Sequence, residues 1–230
     1  MSKWFWFVKR VLPAAVAAGT LIIPGTVLAD ESATGASRIP GYTFGSTELA
    51  TSPISLEEFE LLKKTVLFTD EDVKYLRMSH HILKNHVEDI LDVWYGFVGS
   101  NSHLLHYFTN KTDGEANGEY LAAVRKRFGK WILDTAGATY DQAWLNYQYE
   151  IGLRHHRTKK NKTDAVAAVD HIGYRYLPAL AYPITTTLKP FLAKGDSNAE
   201  TVDKMHQAWV KSVLLQTILW SQPYIKEGDF

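Results

Sequence analysis

Nine histidines and no cysteine set the chemistry open to this 230-residue chain. Without thiols there is no disulfide, no Cys-ligated metal, no Cys nucleophile and no CxxCH cofactor attachment. A metal or cofactor must then be held by imidazole, carboxylate or packing. His80, His81 and His86 follow one helical pattern but lack the His-Glu-x-x-His spacing that sets two imidazoles on one helix face. His103 and His106 are close in sequence, yet no acid or third histidine stands beside them, and a metal site needs three or four converging ligands. Both groups read as a solvated face, and His171 and His206 stand alone. His155 differs because of the helix before it. Ile151, Tyr147 and Trp144 precede it at spacings that share one side of a 3.6-residue helix, so His155 faces the core. His156, one step round, faces solvent with Gln142 and Asn146. By spacing alone, an inward histidine at a helix end is more often a hydrogen-bonded core residue than a ligand.

The composition limits partners. Lys plus Arg (25) equals Asp plus Glu (25), so no global field attracts nucleic acid, and a general DNA or RNA binder is excluded. With 46% hydrophobic residues the chain can bury a full core, and 13% aromatic residues are enough to line a pocket for a flat ligand as well.

The elements that position these residues are helices. Ser55 with Glu58, Thr69 with Asp72 and Ser197 with Glu200 have capping-box spacing. Apolar residues from Val73 to Phe97 recur at three- and four-residue steps, which predicts one long helix over 72–97. A short helix is expected near 103–108, a long one over 118–135 and another over 140–156. The segment 165–192 reads as helix bent or interrupted by Pro178 and Pro183, and a last helix spans 199–220. Ahead of this body, residues 1–29 carry Lys3, Lys9 and Arg10, an apolar stretch and small residues before Asp30. That is the pattern of a cleaved signal peptide, or of a retained membrane anchor. Residues 30–52 form a polar leader and 53–230 the body, an all-α domain. Exported or membrane-anchored residence follows from the first segment, with a cytoplasmic location as the alternative.

Several strings resemble the protoglobins: Ile39-Pro40-Gly41-Tyr42-Thr43-Phe44-Gly45, Trp94-Tyr95-Gly96-Phe97-Val98-Gly99, the run Tyr120 to Phe128 and the run Tyr149 to Asn161. The likeness extends over about 39–230. It implies an all-α globin-like fold with an additional N-terminal helix near 55–66, a single domain holding non-covalent haem b, and a leader loop at 39–52 that covers the haem edges. Carried over by position, it places the proximal iron ligand at His155 and a ligand-facing phenol at Tyr95. Trp94, Phe108, Leu121, Phe128 and Leu180 form the lining, Leu180 where the family pattern has Phe. Ala136 stands in place of a cysteine. Arg127 is the expected propionate partner, ahead of Arg125 and Arg175. The cations from Arg154 to Lys162 are read as those a helix C-terminus favours.

The resemblance further implies reversible binding of O2, CO or NO at a five-coordinate iron, in a sensor, carrier or scavenger. No histidine lies on 118–135 to serve as the distal acid–base of a peroxidase. The alternative is a haem enzyme that detoxifies NO or reactive nitrogen and oxygen species with an external reductase. Signalling would pass through a partner. A homodimer is expected, with Trp209, Val213 and Trp220 at its surface.

Overall fold

A computed structural model describes residues 39–228 and 230. The signal peptide or anchor expected over 1–29 and the first part of the leader lie outside the described residues. Eight helices follow in order: α1 (Leu56–Thr65), α2 (Asp70–Leu83), α3 (Val87–Ser100), α4 (Ser102–Leu105), α5 (Gly118–Gly137), α6 (Gln142–His155), α7 (Tyr176–Leu192) and α8 (Ala199–Ser221). Among the described residues there is no strand, and none of the helices is long and apolar enough to cross a membrane.

Local chemistry sets these boundaries. The Ser55 hydroxyl accepts from the Glu58 amide while the Glu58 carboxylate accepts from the Ser55 amide, so the first orphan donors of α1 are satisfied reciprocally. At α2 the Asp72 carboxylate accepts from the Thr69 amide at 2.7 Å. For α8 the cap is Asn198 rather than Ser197: its side chain accepts from the Thr201 amide.

Two expected helices are drawn differently. The single helix over 72–97 is two, because the chain leaves α-geometry at Lys84–His86, where the His86 amide bonds back to Leu83. The apolar period runs on across this break because both halves have an inner face. That turn lets α2 pack on α5 and α8 while α3 packs on α5 and α7. The segment 165–192 is helical only from Tyr176. Ala165 has a left-handed φ of 51°, and the chain from there is held by the loop instead, through Lys111 N–H to the Ala167 carbonyl and Ile172 N–H to the His155 carbonyl. Pro178 then falls in the first turn of α7, where its missing N–H has no helical partner to lose. The helix continues through Pro183 without interruption.

Helix α8 is the central strut, packing on α2, α6 and α7. Its tryptophans are buried with their N–H groups satisfied: Trp209 donates to Ser79 and Trp220 to Gln148. Trp131 of α5 donates to Gln216. An unpaired N–H at such depth would cost about 1–3 kcal/mol, so these bonds fix the helix rotations. The dimer surface expected at Trp209, Val213 and Trp220 is therefore corrected: all three lie in the core. Their recurrence along α8 reflects burial against three helices, which a single-helix pattern cannot distinguish from an outer stripe.

Gly152 brings α6 and α8 together. A Cβ there would sit 3.0 Å from the Trp220 carbonyl oxygen, closer than side chains ordinarily approach, so only glycine permits this spacing without a shift.

Candidate functional site

Helix α6 is started by Asp141, whose carboxylate accepts from the Trp144 amide, and ends at His155. The inward orientation read from the sequence holds. The imidazole Nδ1 lies 2.8 Å from the Ile151 carbonyl oxygen, and the ring stacks on Trp220 at 5.6 Å and 11°. A carbonyl only accepts, so Nδ1 carries the proton. Burial, the largest influence, pushes the pKa of this imidazole down, so the ring is neutral near pH 7 and Nε2 keeps its lone pair.

His155 borders a cavity walled by α3, α5 and α7 as well as by α6 and α8. Among the residues lining it, His155 is the one histidine. Trp94 and Tyr95 enter from α3, Phe108 from the turn after α4, Phe128 and Arg127 from α5, and Leu180 from α7. Leu121 is not in the wall. It packs against the core beside the cavity, while Tyr120 and Val124 line it. Val124 precedes Phe128 by about one helical turn, but Tyr120, eight residues back, lies about 80° off that line while Leu121 lies nearly on it, so the periodicity of α5 alone favoured Leu121. The aromatics interlock: Trp94 to Phe128 at 5.7 Å, and Phe128 stacked on Trp131 at 5.2 Å and 17°.

Tyr95 is buried, and burial raises its pKa so that the phenol keeps its proton. Its hydroxyl makes no hydrogen bond to another described residue. The Arg125 guanidinium sits over its ring at 5.8 Å, itself tied to Glu88 and Asp92 at the surface.

Charge gathers at the α6 end. Arg127 lines the cavity but grips Asp164 with both terminal nitrogens, at 2.9 and 2.6 Å, and also donates to the Pro40 carbonyl. Arg175 is exposed, with its guanidinium over the Tyr176 ring. The cluster after α6 is more than a cationic helix end. Glu150, buried, accepts from Arg154 through one oxygen and from Lys159 through the other, and Lys160 is buried. Sequence spacing missed this because the loop 157–164 folds back, rather than continuing the helix outward. His156 is likewise half-buried, against the rings of His171 and Tyr224.

The leader braces these wall residues from outside. Arg154 donates to the Gly41 carbonyl and the Thr43 hydroxyl, and Tyr42 and Phe44 pack edge-on against Tyr147. Gly41, at φ 74°, lies where a Cβ would meet Thr163 and Arg127 within 3 Å. Glycine is required there on both counts. Among the described residues no three His, Cys, Asp or Glu side chains converge on a metal position.

A helical body with one neutral imidazole presented to an aromatic-lined cavity defines the protein as a globin-like protein. Residues 55–230 match the family model described as Protoglobin, and the chain belongs to that family. Its fold is similar to a solved structure, the globin domain of the Geobacter sulfurreducens globin-coupled sensor. The two share 16% sequence identity and a TM-score of 0.57, over 73% of this chain and 97% of that one. No curated protein matches the chain. Family membership carries with it a haem cofactor and diatomic gas ligands in general terms.

Proposed function

We propose that this protein is a haem b globin that reversibly binds O2, CO or NO, with His155 as the protein's ligand to iron, and that it acts as a gas sensor, carrier or scavenger. One observation carries the reading: the Nδ1–H of His155 is bound to Ile151, which leaves the Nε2 lone pair for a metal at a cavity with no second histidine. The residues fit the cofactor, since aromatic and aliphatic side chains suit a macrocycle and cations stand at one end.

Haem, when bound, would supply an iron able to take a diatomic gas as ligand. The chain supplies the rest. The Ile151 carbonyl fixes the tautomer and, with Trp220, the plane of the imidazole. Trp94, Phe108, Phe128 and Leu180 keep bulk water from the opposite wall, and the Tyr95 hydroxyl is a donor available to a polar ligand atom. Export is supported by the residue pattern at 1–29. A homodimer would use exposed side chains such as Tyr182 and Leu214.

The test is an absorption spectrum of the full chain reconstituted with haem, ferric, ferrous and CO-bound, beside His155→Ala. The wild type is expected to take up one haem and form a CO complex, and the variant to lose the His-ligated spectrum. A wild type that takes up no haem, or spectra indifferent to His155, would overturn the reading.

A further inference from the structure

Four cationic side chains line the cavity near the end of α6: Arg127, Arg154, Lys159 and Lys160. Two carboxylates meet them. Asp164 is engaged by Arg127, and Glu150 is divided between Arg154 and Lys159. Among the described residues, four cations thus share two paired carboxylates at this end, an excess of two positive charges that would complement a ligand with two carboxylates.

Lys160 is the extreme case. It is 5% exposed and makes no ion pair among the described residues. Its Nζ lies 2.7 Å from the Asn161 side-chain oxygen, 3.0 Å from the Val169 carbonyl and 3.1 Å from the Tyr107 carbonyl. These three oxygens can only accept. The Asn161 amide is oriented by its own donation to the Ala168 carbonyl, so this cage is rigid. A fourth neighbour, the Tyr120 hydroxyl, lies 2.9 Å from the nitrogen. The ammonium donates to this oxygen as well, so the phenol's own proton is free. Tyr120 and Lys160 both line the cavity.

Burying an ammonium among neutral oxygens is costly unless an anion completes it. Burial accordingly lowers the Lys160 pKa to about 8. Arg127, the cation the family likeness favoured for this role, is already neutralised by a two-pronged pair with the half-buried Asp164.

We propose that Lys160 and Tyr120 form the anchor for one carboxylate of the bound tetrapyrrole, with Tyr120 donating its hydroxyl proton and the fixed Lys160 ammonium supplying the counter-charge. This rests on the haem reading above. Arg127 in this assignment is a structural tie between α5, the 157–164 loop and the leader.

The experiment compares ferric haem with its dimethyl ester, which keeps the macrocycle and iron but removes both anionic charges. Full-length wild type, Lys160→Met and Tyr120→Phe are titrated with each, with affinity read from quenching of tryptophan fluorescence and His155 ligation from the Soret band. Wild type is expected to prefer free haem by tenfold or more. Lys160→Met should lose most of that preference while binding the ester as wild type does. Tyr120→Phe, which keeps the ring and the fold, should lose several-fold on haem and nothing on the ester. Equal losses on both forms, or no loss on either, with His155 ligation retained, would overturn the anchor and leave the haem reading standing. A wild type that binds neither form would overturn both.

Discussion

The two sides of the cavity are built on different principles. On the α6 side, directed bonds hold individual atoms: Ile151 to His155, Glu150 to Arg154 and Lys159, and three carbonyl oxygens around Lys160. On the side of α3, α5 and α7 the wall is mostly aromatic and aliphatic bulk, Arg127 and Tyr120 of α5 belonging by their bonds to the α6 side, and the Tyr95 phenol of α3 has no hydrogen-bond partner among the described residues. Directed bonds fix a coordinate but fail when one partner is removed, because the other is left buried and unpaired. Packed bulk tolerates substitution of similar volume and sets shape instead. Changes on the α6 side should therefore register as lost stability or lost cofactor. Changes on the opposite side should register as altered ligand rates in a folded protein.

Replacing Glu150 by Gln tests the first half of this contrast most severely. The carboxylate neutralises two cations at once, with its side chain 6% exposed. Breaking a fully buried pair costs about 3–5 kcal/mol. Lys159 can turn its charge to solvent and Arg154 retains its bonds to Gly41 and Thr43, so a loss of about 2 kcal/mol is expected, since exposed pairs are worth little. Urea unfolding of the haem-free chain gives the value directly. A change within a few tenths of a kcal/mol would show that the α6 side is not held by these bonds.

That contrast also accounts for what could be read before the structure was known. The wall of bulk was legible almost residue by residue. Trp94, Tyr95, Phe108, Phe128 and Leu180 all reach the cavity, because helical periodicity and family likeness both report which face is buried. Leu121 missed by a single step, since neighbouring positions on α5 share the inner half of the helix and only the final rotation chooses Tyr120 and Val124. The bonded side was legible at His155 alone. Nothing in the order Arg154 to Lys162 says that the loop reverses, that Asp164 reaches Arg127, or that Lys160 turns inward. Those outcomes depend on Asn161 in the left-handed region at φ 70° and on contacts far apart in the chain. The helix break at Lys84–His86 was hidden for a related reason, since the apolar period crosses it unchanged.

Tyr95→Phe probes the α3 wall at its phenol hydroxyl. The ring stays and the hydroxyl goes, so the fold and haem uptake should match wild type. If the phenol donates to the bound gas, its loss removes about 1 kcal/mol, roughly a fivefold faster release of O2. CO accepts hydrogen bonds more weakly and should change less. Flash photolysis and stopped-flow displacement measure both. Equal effects on the two gases would mean that the hydroxyl acts through volume and not through its proton.

Leu180→Phe asks the purely steric question. Leu180 lies half-buried on α7, before the turn that holds Pro183, and borders the cavity with a side chain that has no polar atom to lose. Phenylalanine adds a ring where the family likeness has one, and the cavity beside it has room for part of that ring, so the overpacking penalty of a filled core does not apply in full. The melting temperature should stay within a few degrees of wild type. Association of CO should slow by several-fold, while dissociation, which depends on the iron bond and the phenol, should stay constant. A mutant that slows neither step would move the gas path away from α7, toward the α3–α5 seam lined by Trp94 and Phe128. A mutant that loses haem would show that the wall of bulk also carries a positional constraint, and the division between bonded and packed sides would have to be redrawn at Leu180.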